Sequence, residues 1–145
     1  GFFANNCAHK LEVLSMTNIL TADQFVAGIF AVLALKNRKH FVLRDSELDE
    51  RFEHAFDELV AQEDEFGITA NFTFYTDPLH GDSVSLRETL LAAREKELIS
   101  LNNPTFHTFD IKLDDDRARR YLEKVPLPEP FLNQMVDKYF GESVA

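Results

Sequence analysis

The sequence predicts an α+β domain, with a small mixed sheet of two to three strands packed against four to five helices. Three observations predict it. Residues 68–76 and 105–113 alternate apolar and polar side chains with the period of a strand. Several other segments repeat apolar residues every three or four positions, the spacing of an amphipathic helix. A whole helical segment separates the two strand stretches, so a tight hairpin does not join them. If the strands are neighbours, the expected link is a right-handed parallel crossover; the alternative is an antiparallel pair with the helix laid across one face.

The elements follow in order. Residues 1–15 show no clear period, and Met16-Thr17 reads as a native start. We expect 1–15 to be a leader, non-native or weakly ordered, although 10–15 has the composition of a short strand. Residues 16–145 then form one domain, in keeping with a 145-residue chain. Thr21 with Gln24 is a capping box. The run from Phe25 to Leu35 carries no charge and is apolar nearly all round, as a central helix should be. Lys36, Arg38 and Lys39 suit its carboxyl end.

Residues 40–43 favour a short strand. Ser46 caps a second helix running to about Gln62, with Asp49 at the capping-box position. Its apolar stripe is Leu48, Phe52, Ala55, Phe56, Leu59 and Val60; Glu50, Glu53, His54, Asp57, Glu58 and Ala61 form the opposite face. After the 68–76 strand, turn residues mark 77–82 as a loop. Ser83 or Ser85 caps a third helix, and Ser85 with Glu88 fits a capping box better. Its buried stripe is Leu86, Leu90, Leu91, Ala93, Leu98 and Leu101, ending before Asn102-Asn103-Pro104. Asp114 caps a short helix beyond the 105–113 strand. Pro130 starts the last helix, whose stripe is Leu132, Met135, Val136, Tyr139 and Phe140, and Gly141 ends it.

Composition removes several classes. With 45% hydrophobic residues and 14 Phe, most of the chain has enough apolar surface to fold. Cys7 is alone, so no disulfide framework exists, and no apolar run reaches the ~18 residues of a membrane span. We expect a cytoplasmic protein. The 25 acidic and 15 basic side chains give a net charge of −10, unfavourable for nucleic acid. Between Asp45 and Phe66 ten acids face one base, Arg51, which makes −9 of that total. A DNA-binding regulator would have to rely on Arg117, Arg119 and Arg120, which three aspartates precede.

Four candidate sites and one candidate interface result. The 77–83 loop carries Asp77, His80, Asp82 and Ser83 between a strand end and a helix start, a common ligand position in open sheets. His80 is a possible base near neutral pH. The commonplace reading is turn chemistry and a cap. His107 joins this pocket if the two strands are adjacent, with Tyr75 and Asp110 as further members; otherwise it is a core histidine. Glu50, His54 and Asp57 or Glu58 have helical spacing for a shared metal ion, but no fuller ligand pattern accompanies them, so no metal and no cofactor is expected. The acidic helix can steer a basic protein partner, because complementary charge raises association rates. The last helix can dock on the chain's own core or on a second copy as a homodimer.

The leading expectation is a non-enzymatic interaction module, an immunity-like inhibitor, adaptor or regulatory subunit, with Glu50, Glu53, Asp57 and Glu58 at its contact surface. The rival is a small-molecule-binding protein or hydrolytic enzyme using Asp77, His80, Asp82, Ser83 and His107.

Overall fold

A computed structural model of the chain describes residues 18–42, 47–75, 84–101 and 108–141. The described residues form β1 (Asn18–Leu20), α1 (Ala22–Leu35), β2 (His40–Val42), α2 (Glu47–Ala61), α3 (Glu63–Phe66), β3 (Ile68–Ala70), α4 (Val84–Glu95), β4 (Ile99–Leu101), β5 (Thr108–Ile111), α5 (Asp115–Lys124) and α6 (Glu129–Tyr139). This is an α+β fold. Its strands divide between two small sheets instead of one.

α1 is the centre. The Thr21 hydroxyl accepts from the Gln24 amide, and the Gln24 side chain accepts from the Thr21 amide, completing the capping box. Every residue from Phe25 to Ala34 is buried. α4, α5 and α6 all pack on this helix. Gly28 lets α5 and α6 come close: a Cβ there would lie 3.2 Å from Val125 Cγ2 and 3.5 Å from Leu132 Cδ1. Asn37, at φ +62°, stops the helix, with the Arg38 amide donating to the Leu33 carbonyl and the Asn37 amide to Ala34. Those two bonds are the Schellman pattern.

β1 pairs in parallel with β3, Ile19 opposite Thr69. The pairing is short because β1 is short. Beyond the bond from the Asn71 amide to the Leu20 carbonyl, residues 71–75 run without a ladder. Their alternation survives in burial: Phe74 is buried and Phe72 half-buried, whereas Asn71, Thr73 and Tyr75 are exposed. In the second sheet β5 is central, antiparallel to both β2 and β4. Phe41 and Phe109 stack across it with ring centroids 5.0 Å apart. The 68–76 and 105–113 stretches therefore contribute to different sheets, and the expected crossover between neighbouring strands is not formed.

The third helix also differs from expectation. It ends at Glu95, Glu97 adopts φ +64°, and Ile99–Leu101 becomes the edge strand β4. A second Schellman pair closes it, Leu98 amide to Ala93 carbonyl and Glu97 amide to Arg94. Backbone pairing with β5 outweighs the local helical spacing of Leu98 and Leu101. Ser85 lies inside α4 and does not cap it, and its carbonyl accepts from the Thr89 hydroxyl. Leu91 and Val60, expected inside, are 39% and 41% exposed, because each sits at the margin of its helix's stripe.

Aromatic rings knit the layers together. Phe30 meets Phe52 of α2 at 6.1 Å and Phe109 of β5 at 5.8 Å. Phe140 meets Phe52 at 4.8 Å, and Phe131 meets Phe66 at 4.7 Å. Of the apolar stripe of α6, Leu132, Met135, Val136 and Phe140 are thus buried within their own chain, and Tyr139 is half-buried.

Candidate functional site

α2 forms because its apolar residues recur on one face. Leu48, Phe52, Ala55, Phe56 and Leu59 are buried there. This fixes the rotation of the helix and sends Glu50, His54, Asp57 and Ala61 to the solvent side, where all four are exposed. Glu53 and Glu58 flank that stripe and are half-buried.

The acids of this segment do not form one uniform face. Asp49 is 1% exposed, and its carboxylate accepts from Arg87 of α4 at 2.6 Å. Ser46, its expected capping-box partner, lies outside the described residues; the bond to Arg87 ties α2 to α4. Glu47 accepts two bonds from Arg51, at 2.6 and 3.1 Å. Arg51 also donates to the Gly141 carbonyl beyond the end of α6. Glu63 accepts from the Ala70 amide at 3.0 Å, holding α3 to β3.

Glu58 belongs to a cluster at the seam between α2 and α6. Its Oε1 accepts from Lys138 Nζ at 2.6 Å and from the Tyr139 hydroxyl at 3.0 Å. The hydrogen bond and the charge of Glu58 hold the Lys138 ammonium above its usual range. Burial first, then the bond to Glu58, raises the Tyr139 phenol, and the charge of Asp57 adds to this. The His54 ring stacks on Tyr139 with centroids 6.1 Å apart.

Among the described residues, no ion pair takes up Glu50 or Asp57. Glu53 makes an interaction of its own. Two of the cations at the end of α1 are engaged elsewhere: Lys36 pairs with Asp137 at 3.3 Å, and Arg38 donates to the Phe140 carbonyl. Of the four residues expected at the contact surface, then, Glu50 and Asp57 are open, Glu53 is at the edge, and Glu58 is engaged inside the fold.

The alternative pocket residues Asp77, His80, Asp82, Ser83 and His107 lie outside the described residues. Tyr75 and Asp110, expected as further members of that pocket, are described. Asp110 pairs with His40 across β2 and β5 at 2.6 Å, and Tyr75 packs edge-on against Phe56. Among the described residues no group of three His, Cys, Asp or Glu side chains is placed to hold a metal ion. On α5 the Arg117 guanidinium donates to the carbonyls of Lys96, Glu97 and Lys112, whereas Arg119 and Arg120 are exposed. No helix among the described residues is long and apolar enough to cross a membrane.

No local pattern marks the Lys138–Glu58–Tyr139 cluster beyond the helical spacing of α6, because the contact spans about eighty positions. Compared with known proteins, the chain matches no family model, no curated protein and no solved structure.

Proposed function

We propose that this chain is a non-enzymatic interaction module that binds a basic protein partner through the outward face of α2, as an immunity-like inhibitor, adaptor or regulatory subunit does. One observation carries the reading. Glu50 and Asp57 stand exposed on one stripe, whereas Arg51, Arg87 and Lys138 are paired with Glu47, Asp49 and Glu58. Among the described residues, these three cations are thereby engaged inside the fold.

Seven helical residues rise roughly 10 Å, somewhat more than the ~8 Å screening length at physiological salt. Glu50 and Asp57 therefore recruit two separate cations of a partner. Between them lies His54, stacked on Tyr139, an aromatic platform of the kind enriched at interface centres. An arginine-rich partner surface suits this combination of carboxylates and ring faces. A homodimer through α6 would require that helix to leave its own core and exchange with a second copy.

The test is affinity capture of a basic protein by the wild-type chain and by Glu50→Lys/Glu53→Lys/Asp57→Lys. A control chain carries Asp115→Lys and Asp116→Lys on α5. Capture should fall with added salt, disappear in the α2 variant and persist in the control. Equal capture by all three chains contradicts the reading.

A further inference from the structure

A second feature of the molecule lies away from the α2 face. A cleft of about 240 Å³ opens between the first turns of α1, the end of α4, and α5. Val26, Ala27, Ala93, Leu98 and Val125 line its interior, and none is more than 6% exposed. The small side chains Ala27 and Ala93, on helices that would otherwise touch there, leave the space open. Thr89 adds the one buried polar side chain among the lining residues; its hydroxyl donates to the Ser85 carbonyl, so the oxygen still accepts.

The rim has a different character. Lys96 and Lys124 both belong to it, with Asp23 and Tyr121. Lys96 pairs with Asp23 at 3.6 Å, and both side chains are more than half exposed. The Lys124 ammonium lies 5.8 Å from the centroid of the Tyr121 ring. Two cations and one anion thus edge an apolar hollow on a chain whose net charge is −10.

We propose that this cleft binds a small carboxylic acid with an apolar, ring-sized body. The ring lies against Ala27, Ala93 and Val125, and the carboxylate is drawn to Lys96 and Lys124. Size and charge both support this. An apolar cavity of about 150 Å³ holds a benzene molecule, so this cleft accepts a ring and a short arm. A cationic ligand would meet two ammoniums against one carboxylate. A neutral one would leave the rim charges without a role. Asp23 competes with the ligand for Lys96, which makes it a restraint on binding.

The experiment is a titration of the full chain, followed by its backbone amide NMR signals, with phenylpropionate, phenylpropanol and phenylpropylamine. Phenylpropionate should shift the amides of Ala27, Ala93 and Val125 saturably, and the other two compounds should bind far more weakly. Lys96→Met and Lys124→Met should each weaken phenylpropionate by about fivefold, the scale of one exposed ion pair. Asp23→Asn should strengthen it by a similar factor, a gain that general damage to the fold does not produce. Ala93→Phe should fill the hollow and abolish binding. Should that variant not fold, the three rim variants decide the matter. No shift at those amides with phenylpropionate, or equal binding of the alcohol or the amine, overturns the proposal.

Discussion

α1 and α2 are nearly equal in length, lie in one molecule and share the Phe30–Phe52 contact, yet they use their side chains in opposite ways. α1 is buried on every side from Phe25 to Ala34, and its role is packing. α2 is buried on one side only, and its charges do two jobs. Asp49, Glu47 and Glu58 hold pieces of the fold together; Glu50 and Asp57 face outward. The difference teaches that net charge along a helix is a poor measure of available charge. Rotation about the helix axis and the reach of distant cations decide which carboxylates remain for a partner.

The comparison predicts a graded series of effects. Phe30→Ala should be the most damaging, since the side chain is fully buried between α2 and β5. A loss of about 3–5 kcal/mol is expected in urea unfolding. Asp49→Ala should follow, at about 3 kcal/mol, because it removes a carboxylate that is 1% exposed together with its 2.6 Å bond to Arg87. A cost near zero would mean that Asp49 belongs with the outward acids.

The Glu58 cluster should show itself through pH. Lys138 and Tyr139 both titrate above their ordinary values of 10.5 and 10.0 in the folded chain. A raised folded-state pKa means that the folded form holds its proton more tightly. Its stabilising effect is complete below the ordinary value and is lost as pH rises through the folded one. Stability should therefore fall above about pH 10, and Glu58→Gln should flatten that fall. Unchanged alkaline unfolding in the variant would remove Glu58 from the fold-holding group. Glu50→Lys should be the mildest of all, within about 0.5 kcal/mol of the wild type in the same unfolding measurement.

Much of the fold was legible in the sequence wherever a signal was local. The Thr21–Gln24 capping box, the uncharged run Phe25–Leu35 of α1, the amphipathic α2, the Asp114 cap and the proline start of α6 all stand where the spacing places them. What escaped depends on contacts far apart in the chain. β1 exists because Asn18–Leu20 meets Ile68–Ala70, some fifty residues on. β4 takes residues from a helical pattern because β5 offers hydrogen bonds. The same holds for the candidate site. The outward position of Glu50 and Asp57 followed from the apolar period, but Asp49 and Glu58 needed knowledge of Arg87, Lys138 and Tyr139. A single acidic run was visible; its partition was not.

The most direct measurement is the affinity of a captured basic partner for Glu50→Lys/Asp57→Lys, made alongside that chain's unfolding midpoint. Binding should be lost while the midpoint stays within experimental error of the wild type. Undiminished affinity in a folded variant would show that the outward carboxylates of α2 are ordinary solvated surface.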